Sequence, residues 1–500
     1  MKIAMAVNPM SKDLKPFDKE ITYIEPGAFD GYINLEYLDA SENQIETIDL
    51  DTFKDLTNLK ILLLSSNNIS SINQEAFRPL TNLESLDLSD NQISKIDPEL
   101  FKGLKKLIIL DLYMNSIDSI ETNTFTDLES LKILSLESNR IQDLSSFQEL
   151  ELHALTQLLL NNNQISEIDG DIFLNFPNLD RLELDGNYIE DISSDNFKHL
   201  KNLIVLTIAR NGLSEIPANT FSNLNNLLKL DLNSNNIKVI HEDTFNGLSS
   251  LELLDFGLNI VSTIQPNSFS NLKNLQTLIL TSNDLDEIEM DTFKGLSGLE
   301  LLDLRGNGIF TIEANSFSSS TQLQGLYLSY NYISEIIYGT FSNLKNLREL
   351  DLWANEIERI DDFAFADLEN VVVLDLDENL LEIIEPNTFV GLKRLSTLYL
   401  GENYIEYIAS EVFRSLSSLQ NLYLYFNMIS YIGKYEFQNM LSLVNVFLIG
   451  NNLQSLNNDI IQGCKNLKVF CLAGNMLPEN FTLNLSGLGV TQFNLLNCGF

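Results

Sequence analysis

One spacing governs almost the whole chain: asparagine recurs every 24 residues, at positions 43, 67, 91 and onward to 475, nineteen times in unbroken register. The same apolar positions travel with it. Between Leu83 and Lys106, Leu83, Leu86, Leu88, Ile93, Ile96, Phe101 and Leu104 keep step with Asn91. A fixed period of this size marks a solenoid, because no single unit can bury its own apolar face and stacking makes one continuous core. The alternation around Leu86 and Leu88 puts both on one face of a short strand and turns Ser85, Asp87 and Ser89 to the other. Each unit is offset by one period from the last, so neighbouring strands run parallel as a ribbon. The Asn sits where the chain leaves the strand. Its amide both donates and accepts, which suits backbone groups left unpaired inside the turn. A structural ladder of stacked Asn is expected, with Asn91, Asn115, Asn235 and Asn283 among its rungs.

Written out, these positions spell LxxLxLxxNxIxxIxxxxFxxLxx, and from about Ile21 to Cys498 the chain resembles the leucine-rich repeat family in its 24-residue class. That resemblance implies an α/β leucine-rich repeat solenoid. In such a fold a curved right-handed coil carries a parallel β-sheet on its concave face and short helical or irregular segments on its convex face. The repeats resemble those of Slit, Toll-receptor ectodomains and chaoptin more than the longer intracellular repeats. The resemblance therefore implies a non-enzymatic protein that recognises a protein ligand through its concave sheet, at the cell surface or outside the cell. A structural or adhesive element that associates with itself, and a cytosolic scaffold, are the alternatives.

Charge narrows the partners. With 31 basic and 70 acidic residues the net charge is −39, which repels nucleic acid and anionic membranes and favours a basic protein. A length of 500 residues would ordinarily suggest several domains. The unbroken period implies instead one solenoid over 21–498, of about 19 full repeats with partial ones at its ends, after a leader or degenerate cap at 1–20. No apolar run is long enough to span a membrane. The start MKIAMAV is too short for a signal-peptide core, so secretion is not legible there. His153, His199 and His241 fall in different units and at different points of the repeat, so spacing assembles no catalytic group. No phosphate loop or paired-Cys metal motif appears, and no cofactor or metal is implied.

Departures from the pattern carry their own expectations. Near the start, Lys19 takes the Asn position and Pro16 falls inside the presumptive first strand, where it would blunt an edge. Between Asn139 and Leu155, Phe147 comes two residues early and Leu150 and Leu152 take up the packing, which implies a re-routed loop. Asp51, Glu99, Asp171, Asp243 and Asp291 stand two residues before the Phe position and are expected to cap short helical turns. At the far end Val490, Phe493 and Leu495 fit a unit one residue short, placing Cys498 at the Asn position. Cys471 should then face the concave surface, Cys498 should face inward, and no disulfide is evident among three cysteines. The uncovered last strand would favour self-association.

The candidate binding residues alternate with the strand leucines. Four positions before the Asn stand Asp39, Asp87, Asp111, Glu183, Asp231, Asp255, Asp303, Asp351 and Asp375, an acidic column suited to a cation or a basic partner, although Asp is common wording at this position of the repeat and can simply be solvated there. From about residue 325 aromatics gather on the same outward face: Tyr327, Tyr330, Trp353, Tyr399, Tyr423, Tyr425, Phe426 and Phe447. Trp353 is the only tryptophan and is expected to aim at solvent. Register implies one continuous strip of about six strands, or roughly 25–30 Å, flanked by Asp351 and Asp375. Exposed aromatics so grouped suit a protein-binding hot spot, although aromatic residues also favour strands and pack on one another across a ladder.

Overall fold

The computed structural model of the chain describes residues 10–483 and 492–494. They fall in two compact units, Met1–Ile237 with Asp243–Leu251, and Lys238–Glu242 with Glu252–Phe500. In each unit every repeat contributes one short strand, and successive strands pair in parallel and in register. Ser85–Asp87 lies beside Ile109–Asp111 with Leu86 opposite Leu110, and Thr397–Tyr399 lies beside Asn421–Tyr423 with Leu398 opposite Leu422. The central residue of each triad is buried and the outer two face away from the core.

Strands stop after three residues because the backbone turns left-handed just before each ladder Asn. Asp90 has φ 51°, Ser234 φ 56°, Ala354 φ 52° and Gly306 φ 66°. That turn points backbone groups inward, and the Asn side chain satisfies them. Asn235 is buried and donates to the carbonyls of Ile208 at 2.9 Å and Leu232 at 3.0 Å, while its oxygen accepts from Leu213 N–H at 3.1 Å. Each rung therefore joins two repeats. Asn91, Asn115 and Asn283 do the same, accepting from Ile69, Ile93 and Val261.

Nine residues earlier a second series of asparagines works along the other side of the strands. Asn58 donates to the Ile33 carbonyl at 2.8 Å, Asn202 to Pro177 at 2.9 Å, Asn346 to Thr321 at 2.9 Å and Asn370 to Lys345 at 2.7 Å. Behind the strands the phenylalanines stack. From Phe269 through Phe437 successive rings lie 5.8 to 6.4 Å apart in the second unit. On a flank, pairs of two-residue strands such as Tyr407–Ile408 and Tyr431–Ile432 bury their Ile and expose the residue before it.

Several local expectations need correction. Among the described residues, helix is confined to the 3₁₀ turn Ser145–Glu149, which buries Phe147, and the single α-turn Ser194–Phe197. The carboxylates two before the Phe do not cap helices. Glu99 pairs with Lys102 at 2.5 Å, Asp291 with Lys294 at 3.4 Å, and Asp171 with Lys198 of the next repeat at 3.0 Å. The turns are closed instead by residues two positions earlier, Asn73, Asp97 and Asp169, which accept from the N–H of Glu75, Glu99 and Asp171. Pro16 lies outside the first strand, Asp13–Leu14, and its carbonyl accepts from Asn43 at 2.8 Å.

At the far end Gln492–Asn494 pairs with Val469–Cys471, one residue short of the period. Cys471 is buried and disulfide-bonded, contrary to expectation, with its partner outside the described residues. Cys464 is free, and its thiol donates to the Phe437 carbonyl at 2.8 Å. The side chains expected at Val490, Phe493, Leu495 and Cys498 lie outside what is described. Among the described residues no helix is long and apolar enough to cross a membrane.

Candidate protein-interaction surface

In-register parallel strands bring residues of one column to the strand spacing of about 4.8 Å, so three neighbouring aromatics must stack. Tyr399 and Tyr423 lie 4.6 Å apart at 9°, and Tyr423 and Phe447 5.0 Å apart at 4°. The strands that hold them pair Tyr399 with Tyr423 and Tyr423 with Phe447 as direct Cα partners. All three rings are half-buried, each covering its neighbour's face.

Two residues further along each repeat lies a second column, and here glycine decides the geometry. Tyr425 lies over Gly401, where a methyl group would overlap its ring, and its hydroxyl donates to Asp377 Oδ2, two repeats away. The other oxygen of Asp377 accepts from Gly401 N–H at 2.5 Å. Phe426 is exposed and leans over Gly450, where an added Cβ would come within 2.5 Å of its ring.

Trp353 belongs to the same column, but it is half-buried rather than aimed at solvent, with the exposed Tyr330 ring packed edge-on at 4.6 Å. Tyr330 and Phe426 both occupy the left-handed position before the ladder Asn, at φ 56° and 50°. Bulky residues seldom adopt that conformation.

Acidic groups stand between the two aromatic clusters. Asp351, Asp375 and Tyr399 are successive Cα partners. Asp351 accepts from Trp353 N–H at 3.1 Å and from Ser329 Oγ at 2.6 Å. Asp375 accepts from Asp377 N–H at 3.0 Å, and its second oxygen has no partner among the described residues. Burial, with Asp377 and Asp351 close by, pushes the Asp375 carboxyl up to about 7. Burial also pushes Asp377 up to about 6, although the Tyr425 hydroxyl and Gly401 amide oppose the shift. The phenol of Tyr425 is raised as well, by burial and then by Asp377.

Tyr327 stands apart from the other aromatics. Its hydroxyl donates to Glu349 at 3.0 Å and the Arg305 guanidinium sits 5.4 Å from its ring centre, while Arg305 is held by Asp303. Burial, and then the Glu349 hydrogen bond, lift its phenol to about 12. The aromatics therefore form three groups: Tyr327, then Tyr330 with Trp353, then Tyr399, Tyr423, Tyr425, Phe426 and Phe447. Asp351, Asp375 and Asp377 lie between the second and third. Asp377 and Gly401 were missed from sequence, and a glycine one repeat before a tyrosine in the same column was the available signal.

In the first unit Asp87 and Asp111 are Cα partners, and burial raises the Asp111 carboxyl. Among the described residues no group of three or more His, Cys, Asp or Glu is placed to hold a metal ion.

Comparison with known proteins agrees with this architecture. The leucine rich repeat family pattern matches in overlapping segments from residue 18 to residue 453. The fold is similar to that in the Toll–Spätzle complex of Drosophila, at 21% identity over 91% of this chain and 76% of that chain, with a TM-score of 0.61. It is similar to the plant peptide hormone receptor RGFR1 in complex with RGF2, at 22% identity over 89% and 79%, with a TM-score of 0.54. It also resembles the ectodomain of the Arabidopsis thaliana membrane receptor kinase GASSHO1/SCHENGEN3 in complex with CASPARIAN STRIP INTEGRITY FACTOR 2, at 21% identity over 91% and 64%, with a TM-score of 0.54. Identities this low carry the fold and nothing further. No curated protein matches the sequence. The family match over most of the chain, together with the register of strands and Asn rungs, makes this chain a member of the leucine-rich repeat family.

Proposed function

We propose that the sheet face of the second unit, from Trp353 to Phe447, binds a protein ligand that presents basic side chains. The observation that carries this reading is Asp375. It keeps one oxygen free, in a partly dehydrated setting between the Trp353 cluster and the Tyr399–Tyr423–Phe447 stack. A cation placed there meets a carboxylate and aromatic faces together, an arrangement worth more than either contact at an open surface. Trp353, Tyr399 and Tyr423 are the proposed anchors, each worth on the order of 2 kcal/mol when cut to Ala. The solved structures with the same fold include receptors bound to peptide or protein ligands, which supports a recognition role. The disulfide at Cys471 supports a place outside the cytosol, where such bonds persist.

Trp353 is the only tryptophan, so its fluorescence reports on this surface alone. Titrating the full chain with a hexa-arginine peptide should change that emission, in a salt-dependent way, while hexa-glutamate should not. An equal response from Asp375→Asn would overturn the reading.

A second reading, self-association, draws support from a flank of the same repeats, where Tyr404, Tyr407, Met428 and Tyr431 are all exposed. Sedimentation of the parent and of Tyr407→Asp/Tyr431→Asp over a range of concentrations tests it. A parent that stays monomeric at high concentration removes it.

A further inference from the structure

Ahead of the strands of the second unit, Gln322, Gln324, Asn346, Arg348, Asn370 and Arg394 surround a cavity of about 420 Å³ whose one apolar liner is Val372. Its liners stand one or three residues ahead of the strands Gly325–Tyr327, Glu349–Asp351, Val373–Asp375 and Thr397–Tyr399. In a chain with a net charge of −39, two guanidiniums that converge without neutralisation need an explanation. Neither Arg348 nor Arg394 makes an ion pair among the described residues. Their neighbours do: Lys393 is held by Glu369 at 2.7 Å, and Arg359 by Glu335 and by Asp361 at 3.2 Å.

The amides of the cavity define the rest of the ligand. Asn346 and Asn370 each commit one N–H to the carbonyls of Thr321 and Lys345, and Gln324 commits one to Glu300 at 3.0 Å. Their oxygens are left as acceptors. The cavity thus combines strong donors for anionic groups with several acceptors for hydroxyl or N–H donors. A bare oxyanion leaves those acceptors unmatched, and a neutral sugar leaves the arginines unmatched.

We infer that this notch binds a short acidic saccharide, its sulfates or carboxylates on Arg348 and Arg394 and its hydroxyls on the Asn and Gln oxygens. The two arginines belong to repeats two strand spacings apart, about 10 Å, so they address anionic groups at separate points of an oligosaccharide. Guanidinium forks match carboxylate and sulfate oxygens two at a time. The acidic remainder of the protein repels a long polyanion, which favours a short chain.

Titration calorimetry on the full chain, with a sulfated heparin-derived tetrasaccharide, tests this directly. The sulfated probe should bind, and its fully desulfated counterpart should bind about tenfold more weakly or not at all. Arg348→Gln/Arg394→Gln should weaken the sulfated probe by about tenfold or more, with the thermal midpoint unchanged because both side chains are exposed. Lys238→Gln/Lys465→Gln, two exposed cations elsewhere in the unit, should leave affinity as it was. Three results would overturn the inference: equal loss in that control pair, inorganic sulfate binding as tightly as the tetrasaccharide, or a sulfotyrosine peptide doing so.

Discussion

Tyr425 reaches across Gly401 to place its hydroxyl on Asp377, so that one hydrogen bond ties together three successive repeats on the sheet face. The bond opposes the upward shift that burial imposes on Asp377. Tyr425→Phe should therefore raise the Asp377 pKa further. Gly401→Ala should do the same by lifting the ring, and should cost about 1–3 kcal/mol for the buried acceptor left unpaired. Carboxylate titration by NMR checks the first outcome and denaturant unfolding the second. An Asp377 pKa that does not move in Tyr425→Phe would mean the bond is absent in solution.

Stability and ligand binding should respond to pH in opposite directions. Asp375 at about 7 and Asp377 at about 6 lie above the unfolded value of about 3.9. The native state therefore holds protons that the unfolded chain has released. Their stabilising contribution is present in full below about pH 4 and is lost as the pH rises through 6 to 7. Glu436, buried and accepting from the N–H groups of Glu411 and Phe413, is pushed up to about 7 by burial and adds to the same slope. Thermal midpoints should rise from pH 8 to pH 5, and Asp375→Asn should flatten part of the rise. Affinity for hexa-arginine should instead fall on acidification, by about tenfold between pH 7.5 and 5.5, as Asp375 is neutralised.

The Asn rungs carry stability that no neighbouring group replaces. Asn235→Ala removes the bonds donated to the carbonyls of Ile208, Leu232 and Asn233 and leaves Leu213 N–H without its acceptor. A loss of about 1–3 kcal/mol is expected, read as a lower denaturant midpoint. An unchanged midpoint would mean that water fills the position without cost.

Two aromatics hold a backbone conformation that disfavours them. Tyr330 and Phe426 sit at φ 56° and 50°, where glycine carries no Cβ penalty of about 1–2 kcal/mol. Tyr330→Gly and Phe426→Gly should leave stability unchanged or raised, while weakening the hexa-arginine response of Trp353. A clear drop in stability would show that ring packing outweighs the strain and that the aromatics serve the fold.

The period made most of the fold legible, because Leu86, Asn91, Ile93 and Phe101 each obey a local rule and all the rules agree. Contacts within a column were legible for the same reason, as with Tyr399 beside Tyr423. What escaped was reach. Tyr425 skips a repeat because Gly401 leaves room, and Tyr327 turns to Arg305 and Glu349, choices fixed by side-chain length and local vacancy rather than by spacing. The disulfide of Cys471 escaped because three cysteines admit several pairings and the end of the chain departs from the period.

The span from Asp377 to Tyr425 also sets a limit on how this surface can change by recombination. Repeats of equal length are readily gained or lost by unequal crossing-over, and the Leu, Asn and Phe columns would heal such a join anywhere. The bond over Gly401 would not. Duplicating or deleting the repeat between its ends would remove either the vacancy or the reach, so a change of repeat number within that stretch would break the bond.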